Sequence, residues 1–185
     1  MKSNRRSFIT KSSIGILGAF VSNSFTNSSA KSYNKIIGSN DRINIAIQGL
    51  GRRLPGFTKA ISDRSNNVEL SYLCDVMKSQ RIKAAGVFSK ISSHNPILEN
   101  DIRKIFDDKR VDAVYMATPD HWHAPGACMA MASGKHVYLE KPCSHNLNEG
   151  ELLVSYQKHY NKNLQMGNQQ RSSLETNHII NDIQN

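Results

Sequence analysis

The sequence predicts an α/β fold, a doubly wound parallel sheet with helices on both faces. Short apolar runs alternate with helical patterns, a glycine-containing turn follows the first run, and polar residues crowd the ends of the later runs. In the central unit, the apolar run 113–117 stops at Thr118-Pro119, a small-residue helix follows over 124–133, and a second apolar run covers 136–139. Such sheets bind ligands at the carboxyl ends of their strands, so the residues after each run are candidate site residues.

Length and composition allow one ordinary domain. At 185 residues a second full domain does not fit, and an apolar content of 38 % suffices for a core without indicating a membrane protein. Four of the 24 basic residues lie in residues 1–30, which contain no acid, so the net charge of +9 falls to +5 in the remainder, where 20 bases face 15 acids. This excess is scattered and lacks interleaved aromatic residues, so no nucleic-acid partner is predicted.

The three cysteines, Cys74, Cys128 and Cys143, are odd in number and widely spaced. Each lies within or beside an apolar segment, without the spacing of a metal site or of a disulfide framework. We therefore expect buried thiols and no metal site.

Residues 1–30 have the features of an export signal: a basic start, a weakly apolar stretch over 14–21 and an exit of small residues. The pair Arg5-Arg6, followed by Phe8, resembles a twin-arginine signal, while a general secretory signal and a basic amphipathic tail remain alternatives. The twin-arginine interpretation predicts a periplasmic protein without a membrane span once the signal is removed. Residues 31–41 are a polar lead-in to the fold.

The first strand, residues 42–48, alternates in polarity and ends in the turn G-L-G-R-R. A G-x-G turn ahead of a helix, here centred on 57–61, lets the backbone approach a pyrophosphate, whose charge meets the free N–H groups of the helix start. Leu54 occupies the place of the third glycine of the usual fingerprint, so a plain tight turn is an equal alternative. The candidate cofactor-binding residues of the turn are Gly49, Leu50, Gly51, Arg52 and Arg53.

The second strand, residues 68–74, ends on Asp75. An acid at this point of a strand-helix-strand unit holds the adenosine ribose hydroxyls, and Asp75 follows Gly51 by 24 residues, close to the expected offset of roughly 20. Capping of the helix that starts near Met77 is the alternative, and the two roles can coexist. An acid repels a 2′-phosphate and so favours NAD, although Arg81 could accommodate NADP.

Three elements lead from the second strand to the central unit: a helical pattern over 80–88, a short third strand over 96–98 and a helix over 101–106. The apolar side chains of the last helix share one face, and they are Ile102, Ile105 and Phe106.

In the central unit, Gly134 is expected to cap the helix 124–133, with Lys135 beside the negative helix end. Beyond Pro142 the pattern predicts a helix over 147–160 and a sixth strand over 163–167. The side chains of that helix expected to face inward are Leu152, Leu153 and Tyr156.

The expected strand order is 3-2-1-4-5-6, in which the first and fourth strands are neighbours at the switch point. The turn 49–53 then faces residues 118–121 across one crevice, with Lys141 next along the same edge. Spacing alone thus predicts a dinucleotide site. Its candidate residues beyond the turn and Asp75 are Thr118, Pro119, His121, Glu140 and Lys141.

Five short motifs at successive strand ends carry a family resemblance: G-L-G-R-R, C-D-V, A-T-P-D-H-W-H, E-K-P and G-N-Q-Q-R. In this order they resemble the glucose-fructose oxidoreductase, inositol dehydrogenase and rhizopine catabolism (Gfo/Idh/MocA) family, in particular its exported members. The resemblance covers residues 43–173. It implies a Rossmann domain over residues 42–170 that binds NAD, or NADP, in an oxidoreductase acting on a sugar or cyclitol.

The lysine of the family's E-K-P motif corresponds to Lys141, which the resemblance therefore implies to be catalytic. An ammonium between nicotinamide and substrate can hold the reacting hydroxyl and share in its proton transfer. A surface loop lysine is the alternative. His121 and His123 can line the substrate mouth or be hydrogen-bonded loop histidines, and no third ligand at metal spacing accompanies them.

Full-length relatives continue beyond the N-Q-Q-R stretch into a second, sheet-based domain that supplies an aspartate and a histidine spaced D-x-x-x-H. The acids after Glu151 are Glu175 and Asp182, and neither is followed by histidine four residues later. We therefore expect residues 171–185 to begin a linker to a missing substrate domain and the chain to be inactive alone. The uncovered face is expected to favour homo-oligomers.

Two other functions remain open. Exported family members also use NAD in a transient oxidation to hydrolyse glycosides, and the intact E-K-P motif weakly favours net hydride transfer over that reaction. The third interpretation is a dinucleotide-binding module without catalysis.

Overall fold

Six parallel strands form one sheet in the computed structural model, which describes residues 42–92 and 94–184. The strands are β1 Ile43–Gln48, β2 Val68–Cys74, β3 Ile97–Glu99, β4 Ala113–Met116, β5 His136–Glu140 and β6 Leu164–Gly167. Their order along the sheet is β3-β2-β1-β4-β5-β6. The predicted order is therefore confirmed, with β1 and β4 adjacent at the switch point.

Helices connect the strands and continue the chain after the last one. They are α1 Pro55–Ser62, α2 Lys78–Phe88, α3 Ile102–Asp107, α4 His123–Ala132, α5 Leu147–Tyr160 and α6 Leu174–Gln184. Short 3₁₀ turns cover Arg64–Asn66, Asp120–Trp122 and Gln169–Ser172. The alternation confirms the predicted doubly wound α/β fold.

Alternate strand residues supply two cores, one on each face of the sheet. On β1, Ile45 and Ile47 pack with side chains of α1 and α2, whereas Ala46 packs with side chains of α3, α4 and α5. On β4, Val114 joins the second core and half-buried Tyr115 packs against the first. Helices therefore cover both faces, and a ligand reaches the sheet at the carboxyl edge of its strands.

The parallel register brings the ends of the strands to one level. Gln48, the last residue of β1, pairs with Cys74 of β2 and with Met116 of β4, and Glu140 pairs with Gly167 at the ends of β5 and β6. The motifs that follow these strands in the sequence therefore lie along one edge of the sheet.

Helix α5 buries fewer apolar side chains than its sequence predicts. Leu153 is 3 % exposed and Tyr156 is half-buried, but Leu152 is 44 % exposed. Successive residues of a helix point about 100° apart, so the side chain next to Leu153 turns away from the core that α4 and α5 share. The prediction that Leu152 faces inward is wrong.

The turn between α4 and β5 confirms the role of its glycine and corrects that of its lysine. Gly134 has a φ of +83°, the left-handed conformation that ends many helices. The Lys135 ammonium donates to the carbonyl oxygen of Asp108 at 2.6 Å, at the end of α3 rather than of α4. Lys135 is buried, and this burial lowers the pKa of its ammonium.

The thiols of Cys74 and Cys128 are free and buried, as predicted, while Cys143 is half-buried. Burial raises the pKa of Cys74 to about 12 and also raises the pKa of Cys128. Both buried thiols are therefore protonated at neutral pH. Within the described ranges, no group of three His, Cys, Asp or Glu side chains is arranged to hold a metal ion.

The predicted export signal and the polar lead-in, residues 1–41, lie outside the described residues. In the part of the chain that the structure describes, no helix combines the length and apolar character that a membrane span requires. Residues 171–184, predicted to begin a linker, include helix α6, on which Leu174 and Ile183 are largely exposed.

Candidate functional site

Gly49 closes the gap between the ends of β1 and β4. Its φ of +87° lies in the left-handed region that favours glycine, and a Cβ added there would lie 2.5 Å from the carbonyl oxygen of Ala117. The N–H of Gly49 donates to the carbonyl oxygen of Cys74 at 2.9 Å. The turn thus touches both neighbours of β1, and a larger residue at position 49 has to displace backbone atoms.

The rest of the glycine turn lies ahead of α1. Leu50 has a fully buried side chain, so only its backbone belongs to the site. Gly51, Arg52 and Arg53 are exposed, and a Cβ added at Gly51 meets no atom within 4 Å. Hydrogen bonds among the described residues leave the N–H groups of these three residues unpaired, so they are available to an anion.

Asp75 ties the end of β2 to the glycine turn. Its Oδ2 accepts the N–H of Leu50 at 2.8 Å, and its Oδ1 accepts the N–H of Met77, the N-cap residue of α2, at 2.8 Å. The N-cap of α2 is Met77, without a side-chain cap, so Asp75 fixes the chain just ahead of the helix rather than capping it. Each ionised carboxylate oxygen has about two acceptor sites, so one remains on each oxygen for a ribose hydroxyl.

Arg81 also lies at the end of β2. Its guanidinium donates to the carbonyl oxygen of Asp75 and, at 3.2 Å, to that of Val76. A fixed positive charge therefore accompanies the Asp75 carboxylate, as expected if the site tolerates NADP as well as NAD.

The residues after β4 divide into a buried and an exposed group. The hydroxyl of Thr118 is buried, with no hydrogen-bond partner in the described part of the chain. Pro119 is exposed ahead of the 3₁₀ turn. His121 lies within that turn, with a side chain 60 % exposed and its Nδ1 3.8 Å from Oδ1 of Asp120.

Glu140 joins three strand ends through one buried carboxylate. Its Oε1 accepts Nε of Arg53 at 2.6 Å and Nε2 of Gln169 at 2.9 Å, while its Oε2 accepts the N–H of Lys141 at 3.3 Å. Burial alone raises the pKa of Glu140, but the hydrogen bonds from Arg53 and Gln169 outweigh it and lower the pKa below its ordinary value. Glu140 was predicted to bind the cofactor, and all of these contacts are to protein groups.

Lys141 is exposed, and no hydrogen bond or ion pair within the described ranges engages its ammonium. Pro142, the next residue, is bound through its backbone to His123. This histidine is 2 % exposed, and its Nδ1 lies 2.5 Å from the carbonyl oxygen of Pro142. The structure therefore shows His123 as a hydrogen-bonded histidine that also borders the cleft at this edge of the sheet.

A cleft of about 780 Å³ lies along this edge of the sheet. The predicted site residues that line it are Arg52, Arg53, Thr118, Glu140 and Lys141, and the further lining residues are Ala117, His123, Asn168 and Gln169. The predicted site residues that do not line it are Gly49, Leu50, Gly51, Asp75, Pro119 and His121. Sequence reasoning did not name Asn168 and Gln169 as site residues, although they directly follow β6 and the strand-end rule applies to them equally.

The model of an oxidoreductase family with an NAD-binding Rossmann fold, GFO_IDH_MocA, matches residues 43–168. The chain belongs to this family. The match extends from the start of β1 to the cleft residue Asn168, so the strand-end cleft is part of the family's NAD-binding domain. The predicted family and the predicted cofactor NAD are confirmed.

Curated relatives of this Gfo/Idh/MocA chain include glycosyl hydrolase family 109 proteins. One from Shewanella pealeana is 25 % identical over 181 residues, which cover 90 % of this chain and 39 % of the relative. Another, from Shewanella sp. strain ANA-3, is 32 % identical over 103 residues, covering 54 % of this chain and 22 % of the relative.

Solved Gfo/Idh/MocA-like structures share the fold at lower identity. Scyllo-inositol dehydrogenase from Lactobacillus casei, with bound NAD(H) and scyllo-inositol, has a TM-score of 0.63 at 22 % identity, covering 72 % of this chain and 38 % of that one. The WlbA dehydrogenase from Bordetella pertussis, in complex with NADH and UDP-GlcNAcA, has a TM-score of 0.63 at 22 % identity, covering 71 % and 36 %. This chain spans less than two fifths of the length of each of these proteins.

The residues along the cleft fit NAD. At Gly49 the close contact with Ala117 leaves no room for a side chain, so the backbone of the turn lies directly beside the end of β4. The unpaired N–H groups that follow and the exposed guanidinium of Arg52 supply donors and positive charge for a pyrophosphate. Asp75 retains acceptor sites for ribose hydroxyls.

Proposed function

We propose that this domain holds NAD for hydride transfer to or from a hydroxyl-bearing carbon of a sugar or cyclitol, with Lys141 acting on the hydroxyl. The proposal rests on one observation: Lys141, exposed and without a side-chain partner among residues 42–92 and 94–184, borders the same cleft as the glycine-turn arginines. Dehydrogenases with this fold that were solved with NAD(H) and an inositol or a nucleotide sugar support the substrate class.

Bound NAD supplies the group that accepts or returns a hydride. The backbone of the glycine turn and Arg52 hold the pyrophosphate, and Asp75 accepts hydrogen bonds from the adenosine ribose. Lys141 donates a hydrogen bond to the reacting hydroxyl when charged and accepts the hydroxyl proton when neutral. Pro119 and His121 remain predicted cofactor contacts, and Arg81 leaves NADP as a second cofactor.

Glycoside hydrolysis through a transient oxidation is the second candidate function. The glycosyl hydrolase family 109 relative that aligns with 90 % of this chain favours it. Both reactions need the same NAD cleft and differ in outcome, because hydrolysis returns the hydride and leaves no net reduced cofactor. A binding module without turnover is the third candidate.

These functions are separated by their products. The protein, expressed with any coding sequence that follows codon 185, is incubated with NAD and a panel of sugars, cyclitols and glycosides. Net formation of reduced cofactor supports hydride transfer, and released reducing sugar without net reduced cofactor supports hydrolysis. NAD binding with neither product supports the non-catalytic module.

Asp75→Ala is expected to weaken NAD binding to this chain by roughly tenfold or more, because hydrogen bonds to a charged group contribute about 1.5–3 kcal/mol each. The substitution removes the ribose acceptors and also the bond that fixes the N–H of Leu50. Calorimetric titration with NAD and with NADP measures the effect. Unchanged NAD affinity, or a loss confined to NADP, contradicts the ribose assignment or the stated preference for NAD.

Asp101→Ala is the matched control for this measurement. Asp101 is also a half-buried acid that accepts a backbone N–H, that of Arg103, at the start of a helix. It accepts from the start of its own helix, whereas Asp75 also accepts the N–H of Leu50 in the glycine turn. Its replacement is expected to cost about 1 kcal/mol of helix capping and to leave NAD affinity unchanged.

We propose further that Arg5-Arg6 directs export through the twin-arginine route to the periplasm. The pair is followed by Phe8 and by a modestly apolar segment. Replacing both arginines by lysine is expected to retain the protein in the cytoplasm, which fractionation of expressing cells measures. Replacing Lys2 and Lys11 by arginine is the control that keeps the charge, and full export of the Arg5-Arg6 variant contradicts the route.

A further inference from the structure

His123 forms a hydrogen bond to the backbone of the residue that follows Lys141. This histidine begins α4, is 2 % exposed, and places its Nδ1 2.5 Å from the carbonyl oxygen of Pro142. A carbonyl oxygen only accepts hydrogen bonds, so the proton lies on Nδ1 and Nε2 carries the lone pair in the neutral ring. The contact therefore fixes both the position of the Pro142 carbonyl and the tautomer of His123.

The other side of Lys141 is held by Glu140. Its Oε2 accepts the N–H of Lys141 at 3.3 Å, and its Oε1 is fixed by Arg53 and Gln169. Buried side chains thus hold the backbone on both sides of Lys141, while the lysine side chain itself is exposed beside the cleft. The direction in which this side chain leaves the sheet edge is set by these two backbone contacts.

We propose that His123 is a positioning residue for Lys141 and that its Nδ1–H donor fixes the Lys141-Pro142 segment in the orientation that directs the lysine into the cleft. This inference rests on the proposed function, because the position of Lys141 matters for the reaction only if Lys141 acts on the substrate hydroxyl. His123 itself acts through the backbone of Pro142 and is not a catalytic residue.

The other ring nitrogen separates this role from ordinary core packing. Nε2 of His123 is buried without a hydrogen-bond partner among the described residues. The hydrogen bond that the structure gives this ring is therefore the one from Nδ1–H to Pro142, while the ring also borders the cleft. A side chain that supplies only the Nδ1–H donor should therefore replace histidine here.

Asparagine and glutamine provide that comparison. The amide nitrogen of asparagine takes the place of Nδ1, and that of glutamine takes the place of Nε2. In His123→Asn the donor to Pro142 is kept, whereas in His123→Gln an amide of the same polarity lacks a donor at that point. If His123 only fills space or supplies polarity, the two variants behave alike.

Hydrogen exchange and NMR on this chain test the proposal without turnover. We expect amide protection of residues 141 and 143 to fall by roughly tenfold in His123→Gln and to be retained in His123→Asn. With lysines carrying ¹³C-methyl groups, the Lys141 signal is assigned by its loss in Lys141→Arg. On addition of NAD this signal is expected to shift in the wild-type chain and in His123→Asn, and to shift by less than about half as much in His123→Gln.

The two readouts of the same samples distinguish the possible failures. The signal shifts are compared at saturating NAD, because His123 lines the cleft and its replacement can change NAD affinity as well. Equal protection and equal signal shifts in the two amide variants overturn the role of His123. If the Lys141 signal of the wild-type chain does not shift when NAD binds, the proposed function of Lys141 is overturned. The hydrogen-exchange data then still decide whether His123 holds residues 141–143.

A further measurement covers the case in which neither variant folds. The ¹⁵N signals of His123 in the wild-type chain report which ring nitrogen carries the proton. We expect Nδ1 to carry a proton, both before and after NAD is added, because it faces a carbonyl oxygen. A proton on Nε2 alone excludes the donor to Pro142 and overturns the proposal.

Discussion

Gly49→Ala is expected to be the most damaging single substitution at the carboxyl edge of the sheet. The new Cβ would lie 2.5 Å from the carbonyl oxygen of Ala117 and 2.8 Å from the backbone nitrogen of Thr118, and backbone atoms cannot swing aside as a side-chain end can. Overpacking costs about 1–3 kcal/mol and the left-handed backbone about 1–2 kcal/mol for a non-glycine residue. We expect a loss of about 2–5 kcal/mol in the free energy of unfolding, with the melting temperature lower by on the order of 10 °C.

The same substitution is expected to weaken NAD binding by at least about tenfold, because relief of the clash has to separate the glycine turn from the end of β4. Thermal unfolding and calorimetric titration measure the two effects. Gly134→Ala is the matched control, since Gly134 also has a positive φ, +83°, but an added Cβ there meets no atom within 4 Å. Gly134→Ala should lower the free energy of unfolding only by the about 1–2 kcal/mol that a left-handed backbone costs a non-glycine residue, and it should leave NAD affinity unchanged. Similar melting temperatures and affinities for the two variants contradict the argument.

The order of the elements was predictable because it depends on local patterns. Hydrophobic runs between turn signals locate the strands, and the handedness of parallel crossovers then allows few arrangements. Asp75 could be placed for the same reason, since it directly follows β2. Gly49 could be named from its motif, but the contact with Ala117 that requires glycine depends on how closely β1 and β4 pack.

The contacts that organise the cleft were less predictable. Arg53 and Glu140 are 87 residues apart, and their ion pair depends on side-chain directions that no motif states. The bonds of Glu140 to Arg53 and Gln169 were therefore not foreseen, and its contact with the cofactor stays a prediction. Leu152 was misjudged because helical periodicity gives the spacing of a buried stripe but not its width.

His121 and His123 show the same limit within three residues of sequence. Both follow β4 in one motif, yet the 3₁₀ turn exposes His121 while the start of α4 buries His123 against the Pro142 carbonyl. Which of two nearby histidines faces the cleft depends on where a short turn gives way to a helix. Sequence patterns locate such boundaries only to within a few residues.

We expect the 185-residue chain, assayed by itself, to show no measurable dehydrogenase turnover even though it carries Lys141. The ammonium is exposed and has no hydrogen-bonding or charged partner within the described residues. General acid–base catalysis raises the reaction rate by roughly 10²–10⁴-fold when the catalytic group is correctly placed. Correct placement requires surrounding protein that holds the substrate and excludes water. The chain covers 38 % of the length of a dehydrogenase solved with NAD(H) and scyllo-inositol, and the rest of that protein has no aligned counterpart here.

Steady-state assays of the purified chain with NAD and a panel of sugars and cyclitols measure this expectation, with calorimetry to show that NAD is bound. Lys141→Ala is the control variant, and it is assayed at NAD concentrations that saturate it, because Lys141 lines the cleft and its loss can also change NAD affinity. Turnover in the wild-type chain that disappears in Lys141→Ala would show that one domain is enough. Only groups that bind the transition state more tightly than the ground state accelerate a reaction. Such turnover would therefore mean that the residues of this cleft alone hold the reacting hydroxyl against Lys141 in the transition state.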